Sequence, residues 1–249
     1  MASRSETILI TGVNGFTGRH LRRALQAAGH RVVGLVRTRS AAADELTADL
    51  SQPAALQAAL AAVRPDCIVH LAAISFVPHG DPAELYQTNL FGTLNLLEAV
   101  LTVGLQPRKI LLASSATVYG NPPVEVIAET VCPAPVNHYA MSKLAMEHLA
   151  RTYGGRLPLL ITRPFNYTGP GQDPRFLLPK IVSHYRDRRP VIELGNLDVI
   201  RDFSDVRFVT EAYIRLLDSP VVGETVNLCS GQGTALRTLI GIMNRIAGY

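Results

Sequence analysis

Short hydrophobic runs rich in β-branched residues alternate along the chain with longer stretches rich in alanine and leucine. The runs predict strands over residues 7–11, 31–36, 67–71, 109–113 and 159–162. Four of them have the unbroken hydrophobic character of parallel strands that are buried on both faces. The intervening stretches predict helices over residues 17–28, 53–63 and 84–103, because of their composition and helical period. This alternation predicts an α/β fold, a Rossmann-like doubly wound parallel sheet.

The pattern changes at Arg163-Pro164, where a polar, turn-rich segment leaves the predicted sheet. We therefore expect residues 1–163 to form a Rossmann domain, to which residues 203–228 return. A small C-terminal substrate-binding lobe is expected from residues 164–202 and 229–249. The later pattern predicts a helix over 206–217, a strand over 225–228 and a helix over 235–247. Because that last helix is predicted to be unfinished at the chain end, we interpret the lobe as incomplete at its C-terminus.

The composition argues against several classes of protein. Hydrophobic residues make up 47% and charged residues 18% of the 249 residues, which disfavours a disordered or fibrous chain. The net charge of +4 comes from dispersed basic residues, so no nucleic-acid partner is expected. No apolar run reaches the roughly 18 residues that a membrane-spanning helix needs, so no membrane partner is expected either.

The cysteines indicate a reducing environment. The chain has an odd number of cysteines, and no two of them have Cys-x-x-Cys spacing; they are Cys67, Cys132 and Cys229. This pattern argues against a disulfide framework and against a structural zinc site, so no metal is predicted. Reduced thiols and the absence of a recognisable leader predict a cytoplasmic protein.

A glycine-rich segment, from Thr11 to Gly18, follows the first predicted strand and begins the first predicted helix. In this position Gly12 allows a sharp turn, Gly15 allows backbone N–H groups to approach a pyrophosphate, and Gly18 allows close helix packing. The helix N-terminus then faces the phosphates. The predicted cofactor contacts of this turn are Gly12, Asn14, Gly15, Phe16, Thr17 and Gly18. A tight turn without a ligand is the alternative interpretation.

The end of the second strand discriminates between cofactors in this fold, because an acidic group there binds the ribose 2′-hydroxyl and repels a 2′-phosphate. Here the strand is followed by Arg37, with Arg39 close by. Arginine forms charge-assisted hydrogen bonds with phosphate, so NADPH is favoured and NADH remains possible. Solvated surface arginines are the alternative. Asp49 and Leu50 precede the second helix and are expected either to contact the adenine or to mark the helix start.

Tyr139 and Lys143 are the candidates for catalysis. A spacing of four residues in a helical stretch places both on one helix face. The chain contains 8 tyrosines and only three lysines, so such a pair is uncommon by chance. An ammonium group beside a phenol stabilises the phenolate and is expected to lower the pKa of Tyr139. Ser115, after another predicted strand, is placed to hold a carbonyl oxygen beside Tyr139, although strand-end hydrogen bonding is an alternative role.

Together, the glycine turn, Ser115 and the Tyr139/Lys143 pair resemble the extended short-chain dehydrogenase/reductase superfamily over nearly the whole chain. Residues 163–172 and 194–207 resemble, within it, the GDP-mannose 4,6-dehydratases and, more closely, the GDP-4-keto-6-deoxymannose reductases. The resemblance implies a homodimer formed through the helices that contain residues 85–100 and 139–153.

The resemblance also implies further site residues. Cofactor contacts are implied for Leu71, Ala72, Ala73, Asn89, Tyr139 and Lys143, with Lys143 at the nicotinamide ribose. Substrate contacts are implied for Ser75, Ser115, Asn166 and Arg201, with Asn166 and Arg201 at the diphosphate of a GDP-sugar. The alternatives are helix packing for Asn89, turn capping for Asn166, and for Arg201 an ion pair with Asp202 or Asp205.

Thr117 bears on the choice of reaction. Dehydratases of the superfamily carry a glutamate two residues after the catalytic serine or threonine, where this chain has Thr117. Threonine is neither an acid nor a base near neutral pH, so dehydration is disfavoured. The preferred hypothesis is reduction by NADPH of the C4 ketone of a GDP-4-keto-6-deoxyhexose, giving a GDP-6-deoxyhexose such as GDP-D-rhamnose.

Two alternatives to a reductase stay open. Residues 115–120 also resemble NAD-retaining nucleotide-sugar 4-epimerases, although Arg37 argues against a retained NAD. A non-catalytic dinucleotide-binding protein is the other alternative, because this fold also carries binding functions.

Overall fold

The structure is a computed structural model that describes residues 5–75 and 81–248. Its strands, in chain order, are β1 (Thr7–Thr11), β2 (Arg31–Val36), β3 (Glu45–Thr47), β4 (Cys67–His70), β5 (Lys109–Ala113), β6 (Leu159–Pro164), β7 (Asn166–Thr168), β8 (Ile200–Asp205), β9 (Thr225–Leu228) and β10 (Gly233–Ala235). Its α-helices are α1 (Phe16–Ala27), α2 (Pro53–Val63), α3 (Pro82–Tyr86), α4 (Gly92–Thr102), α5 (His138–Arg151), α6 (Leu177–Arg186), α7 (Val206–Asp218) and α8 (Leu236–Ala247).

Seven of the described strands form one parallel sheet in the order β3-β2-β1-β4-β5-β6-β9. The chain builds this sheet outward from β1, first through β2 and β3 and then on the other side through β4, β5 and β6. A crevice forms where the direction of winding changes, at the carboxyl ends of β1 and β4. The doubly wound Rossmann-like fold predicted from the sequence is confirmed.

Helices cover both faces of the large sheet, which explains why its strands are hydrophobic throughout. On one face α2, α4 and α5 pack on the sheet, and Leu60, Leu97 and Met146 are fully buried there. On the other face α1 and α7 do so, with Leu25 and Tyr213 fully buried. Across the described ranges, none of the helices combines the length and the apolar character needed to cross a bilayer.

A smaller sheet, in the order β10-β8-β7, stands apart from the large one. β8 is antiparallel to β10 and parallel to β7. α6 and α8 cover it through a separate apolar cluster around Ile181 and Leu236. Because β6 leads almost directly to β7, and β8 runs straight into α7, this lobe lies next to the carboxyl ends of the large sheet.

The observed elements differ from the predicted ones in several places. β6 continues through Pro164, where its neighbour β5 has already ended and a missing N–H costs no sheet hydrogen bond. The helix predicted over 84–103 is interrupted by a π-helical turn at Gln87–Phe91. The last helix was predicted to be unfinished at the chain end and this was wrong: it ends at Ala247, and Gly248 adopts the left-handed conformation, with φ +77°.

Candidate active site

The turn between β1 and α1 leaves no room for side chains at two of its three glycines. Gly12 has a φ of +69°, and a Cβ there would lie 2.7 Å from the backbone nitrogen of Ala72 on the neighbouring β4 connection. A Cβ on Gly18 would collide with the carbonyl oxygen of Gly12. Gly15, in contrast, is exposed and donates a 3.0 Å backbone hydrogen bond to Gly12. Gly12 and Gly18 therefore permit the turn, whereas Gly15 leaves its outer face accessible.

The N-terminus of α1 is suited to bind an anion. Its N-cap residue is Gly15, so no side chain accepts a hydrogen bond from the N–H groups of the first turn. These N–H groups and the helix dipole attract phosphate. Asn14 lies exposed next to them, with its side-chain amide 3.4 Å from the Glu45 carboxylate. The turn therefore fits the pyrophosphate of a dinucleotide.

Arg37 is exposed directly after β2, at the same edge of the sheet. A hydrogen bond from the Ser51 N–H, at 2.8 Å, is the main cause that holds the pKa of Asp49 below its ordinary value, and the charge of Arg37 contributes. Asp49 thus has a local role in the turn before α2. Leu50 packs against Gly92, and its carbonyl oxygen accepts a 2.7 Å hydrogen bond from Asn95.

His70, at the end of β4, is a buried neutral imidazole. Its Nδ1 lies 2.7 Å from the hydroxyl oxygen of Thr11, and its Nε2 lies 2.9 Å from that of Thr93. The Thr93 hydroxyl already donates to the carbonyl oxygen of Asn89, so it must accept from Nε2, and Thr11 donates to Nδ1. Burial, with a smaller contribution from the charge of Lys143, lowers the pKa of His70 to about 3.

The segment after β4 is held against α5 by Asn89. This residue is 1% exposed, and its side chain bonds to both the N–H and the carbonyl oxygen of Ile74, at 2.9 and 3.1 Å. It also donates a 3.0 Å hydrogen bond to Ser142. Asn89 therefore shapes the wall of the crevice from within the protein. The residues that follow β4 form part of that wall. Of the predicted contacts there, Leu71, Ala72 and Ala73 are partly buried and Ser75 is exposed.

Ser115, Thr117 and Tyr139 meet at the carboxyl end of β5. The side-chain oxygen of Ser115 accepts hydrogen bonds from the Thr117 N–H at 3.2 Å and from the Thr117 hydroxyl at 2.9 Å. Asn137 caps α5 by accepting a 2.9 Å hydrogen bond from Ala140, which places Tyr139 in the first turn of the helix. The Ser115 side chain lies close enough to the Tyr139 phenol to lower the pKa of Tyr139. The bond from Thr117 to Ser115 was not foreseen from the sequence.

Lys143 lies one turn further along α5 and is 4% exposed. Its Nζ donates a 2.8 Å hydrogen bond to the carbonyl oxygen of Ala113, the last residue of β5. Burial lowers the pKa of Lys143 to about 8, against the raising influence of the Glu147 carboxylate. Lys143 is therefore a cation of reduced basicity beside the end of β5.

The pKa of Tyr139 moves in the direction opposite to the prediction. Burial raises the pKa of Tyr139, the neighbouring Tyr167 raises it further, and the polar side chain of Ser115 lowers it only in part. The predicted lowering by Lys143 was wrong because the cost of removing a phenolate from water exceeds the other influences and the ammonium group bonds to Ala113. Tyr139 consequently keeps its proton at neutral pH.

Asn166 and Arg201 lie on the small sheet next to the crevice. Asn166 is opposite Phe203 in the β7–β8 register, and Arg201 is two residues before Phe203. Because residues two apart on a strand share a face, Asn166 and Arg201 are on the same face of this sheet. Both are exposed.

Arg201 does not form the ion pairs considered as alternatives for it. The carboxylate of Asp202 accepts hydrogen bonds from the N–H and hydroxyl of Ser230, at 3.0 and 2.9 Å. Asp205 pairs with Arg207 at 2.8 Å. The Arg201 guanidinium donates a 2.8 Å hydrogen bond to the carbonyl oxygen of Ile200 and remains exposed.

Tyr167 joins the small sheet to the glycine turn, a contact that sequence reasoning missed. Its hydroxyl and that of Thr17 share a hydrogen bond of 2.7 Å. Its ring stacks on Phe16, with 6.0 Å between the ring centroids and an interplanar angle of 17°. The segment that carries Asn166 is therefore in direct contact with the first residues of α1.

The described residues contain no group of three or more His, Cys, Asp or Glu side chains arranged to bind a metal. Two cavities of about 380 and 510 Å³ lie near the amino ends of the strands, around Asp66 and Arg156, away from Ser115 and Tyr139. In open α/β sheets, ligands bind at the carboxyl ends. The crevice bordered by Gly15, Ser115 and Tyr139 is therefore the candidate active site.

Known proteins with similar sequences and structures support this assignment. The model of the NAD dependent epimerase/dehydratase family matches residues 8–229. The GDP-6-deoxy-D-talose 4-dehydrogenase of Aggregatibacter actinomycetemcomitans is 37% identical over an alignment of 246 positions, which covers 96% of this chain and 80% of that protein. The GDP-6-deoxy-D-mannose reductase of Pseudomonas aeruginosa is 37% identical over an alignment of 254 positions, gaps included, which covers 98% of this chain and 81% of that protein.

A solved structure agrees with these sequence matches. The structure of RMD from Pseudomonas aeruginosa complexed with NADPH superposes with a TM-score of 0.86 at 37% identity, covering 98% of this chain and 83% of that chain. The resemblance predicted from the glycine turn, Ser115, Tyr139 and Lys143 is confirmed. The chain belongs to the NAD dependent epimerase/dehydratase family.

Proposed function

We propose that this protein is an NADPH-dependent reductase of the C4 ketone of a GDP-4-keto-6-deoxyhexose. The observation that carries the proposal is the arrangement of Thr117, Ser115 and Tyr139. Ser115 accepts two hydrogen bonds from Thr117, so its own hydroxyl hydrogen is directed to Tyr139 or to a substrate oxygen. The two curated relatives, named for GDP-6-deoxy-hexoses, support the same substrate class.

The protein supplies the proton in this reaction. When bound, the nicotinamide cofactor supplies the hydride. Tyr139 donates its proton to the alkoxide that develops at C4, and its raised pKa keeps the phenol protonated until then. Ser115 holds the same oxygen by hydrogen bonding, which stabilises the developing charge. Lys143 places a positive charge beside the end of β5.

The residues around the crevice fit a dinucleotide that carries a 2′-phosphate. The exposed turn at Gly15 and the uncapped start of α1 suit its pyrophosphate. Arg37, at the end of β2, suits the 2′-phosphate that distinguishes NADPH from NADH. Asn166 and Arg201, on one face of the small sheet, suit the diphosphate of the sugar nucleotide.

The absence of a carboxyl group at position 117 weighs against a dehydratase, which needs a second acid or base beside the tyrosine. Thr117 instead serves Ser115 as a hydrogen-bond donor. A 4-epimerase uses the same tyrosine with a retained NAD, and the exposed Arg37 favours a cofactor that carries a 2′-phosphate.

Three finer assignments belong to this proposal. GDP-D-rhamnose is the expected product. A homodimer is expected through α4 and α5, where Phe91 just before α4 is 45% exposed and Met141 on α5 is 42% exposed. A cytoplasmic location is supported by the cysteines, which are all free thiols in the described chain.

The proposal is tested by incubating the protein with the 4-keto product of a GDP-mannose 4,6-dehydratase and either NADPH or NADH. Oxidation of NADPH with formation of a GDP-6-deoxyhexose is the expected result, and nuclear magnetic resonance of the product identifies the sugar. Isomerised sugar without net cofactor oxidation would identify an epimerase, and cofactor binding without any conversion would identify a binding protein. Either of these results contradicts the proposal.

A further inference from the structure

A buried ionic network lies one helical turn beyond Lys143. Glu147 follows Lys143 by four residues and Tyr139 by eight, so the three side chains share one face of α5. Glu147 is fully buried, and its two carboxylate oxygens accept hydrogen bonds from Arg163 on β6, at 2.9 Å from Nε and 2.6 Å from Nη2. Desolvating two charges is costly, so stability alone is a poor explanation for a buried ion pair.

The same carboxylate holds the strand end that carries Ser115. The Ser114 hydroxyl donates a 2.5 Å hydrogen bond to Glu147. Ser114 lies between Ala113, whose carbonyl oxygen accepts the hydrogen bond of Lys143, and Ser115 itself. A displacement of Ser114 therefore moves both of its functional neighbours.

Glu147 also provides the negative charge next to Lys143. Burial disfavours the ammonium form of Lys143, and Glu147 opposes this effect. The other groups that face this region add no negative charge: His70 on β4 is neutral and Ala113 on β5 contributes a carbonyl oxygen. Two cations bond to Glu147, Arg163 on β6 and, at 3.4 Å, Arg151 on α5.

We propose that Glu147 is a positioning residue of the reductase, which acts through Ser114 on the end of β5 and through its charge on Lys143. The carboxylate keeps the buried Lys143 side chain an ammonium ion and keeps Ser115 at the distance that Tyr139 requires. This inference rests on the proposed function, but its electrostatic part is measurable without turnover.

The chain is well suited to a direct measurement because it contains three lysines, Lys109, Lys143 and Lys180. Labelling with lysine that carries carbon-13 at Cε gives one signal per lysine in the full chain. Lys180→Arg and Lys109→Met identify two of the signals and leave the third for Lys143. The pH at which this signal titrates reports the ammonium form.

Two variants break the same ion pair from opposite sides. In Glu147→Gln the Lys143 titration is expected to move down by about one pH unit, a tenfold change in its ammonium fraction at a given pH. In Arg163→Gln the Glu147 charge remains, and the titration is expected to stay or to move up. If the pair of Glu147 and Arg163 only stabilised the fold, the Lys143 titration would shift equally in both variants. No shift in Glu147→Gln, or an equal downward shift in Arg163→Gln, overturns the electrostatic part.

A double variant, Glu147→Gln with Arg163→Gln, removes both charges and covers the case in which Glu147→Gln alone does not fold. The Lys143 titration is expected to move down in it as in Glu147→Gln, and a wild-type titration contradicts the proposal. Ser114→Ala tests the other part: kcat is expected to fall about tenfold with the Lys143 titration unchanged, and an unchanged kcat overturns the positioning of β5.

Turnover gives the second readout and separates the two proposals. In Glu147→Gln the alkaline limb of the kcat profile is expected to shift down together with the Lys143 signal. If the wild-type protein reduces no ketone, the function is wrong while the lysine titrations still decide the electrostatic claim. If turnover is normal and Lys143 titrates unchanged in Glu147→Gln, the function stands and this inference fails.

Discussion

The Thr117 hydroxyl donates a 2.9 Å hydrogen bond to the side-chain oxygen of Ser115. In Thr117→Val this donor is lost with little change in shape, and Ser115 is freer to turn its own hydrogen away from the substrate. We expect kcat to fall about 5- to 10-fold, the equivalent of about 1 kcal/mol, with little change in KM. Thr117→Ser keeps the hydroxyl and is expected to restore most of the activity. A fully active Val variant would show that the bond does not matter.

Replacing Tyr139 tests its proposed role as the proton donor. Tyr139→Phe keeps the ring and removes the proton, so kcat is expected to fall about 10²- to 10⁴-fold. The Kd for NADPH, measured by fluorescence titration, is expected to change less than about twofold. Turnover near the wild-type rate would exclude Tyr139 as the acid.

We expect Arg37 to set the preference for NADPH. Arg37→Ala is expected to weaken NADPH binding about 10- to 100-fold, because it removes a charge-assisted hydrogen bond to the 2′-phosphate, while NADH binding is almost unchanged. Arg23→Ala is the matched control, since Arg23 is an exposed arginine on α1 and its loss changes the net charge equally. Equal effects of Arg37→Ala on both cofactors would contradict the assignment.

His70 makes the fold sensitive to acid. Its pKa is about 3 in the folded chain and about 6.5 when unfolded, so the unfolded state binds more protons below pH 6.5. Stability is therefore complete above pH 6.5 and is lost as the pH falls from 6.5 towards 3, by up to several kcal/mol. His70→Gln is expected to flatten this dependence in urea unfolding at pH 7 and pH 4.5. His148→Gln, at an exposed position, is the control and is expected to leave it unchanged.

Lys109 stabilises the fold away from the active site. Its buried Nζ donates to the carbonyl oxygens of Leu216 and Ser219, both at 2.5 Å, at the C-terminus of α7. Lys109→Met removes both of these hydrogen bonds, so the Leu216 carbonyl oxygen keeps only the bond from the Ser219 hydroxyl, and the free energy of unfolding is expected to fall by about 2–4 kcal/mol. Because Lys109 lies at the amino end of β5, kcat and KM are expected to stay at wild-type values; a loss of activity in the folded variant would contradict this separation.

The strands of the large sheet were predicted well because their burial on both faces leaves a strong sequence signal. The bounds of β1, β2, β5 and β9 agree with the predicted runs. β3 and β10 were not predicted because three residues are too short to show a period. α6 was not predicted because it lies in the segment after Pro164, whose polar, turn-rich sequence predicts turns.

Within the site, sequence reasoning found the residues whose spacing is local. Gly12, Gly15 and Gly18 lie in one turn, and Tyr139 and Lys143 lie one helical turn apart. The direction of the Tyr139 pKa was not accessible, because it depends on burial that only the folded chain defines. Glu147 was overlooked although its spacing from Lys143, four residues along a helix, is the same signal that identified the pair.

Tyr167 and Thr17 are 150 positions apart in the chain and yet share a hydrogen bond. A chimaera that exchanges the smaller lobe between relatives, in order to exchange their sugar specificity, must therefore preserve the contact between Tyr167 and Thr17. A graft that begins after Thr168 leaves Tyr167 with its host partners, whereas one that begins at Asn166 must bring along a residue able to stack on Phe16 and to bond with Thr17. The position of the junction in such a chimaera therefore determines whether the residues after the glycine turn keep their contacts with Tyr167.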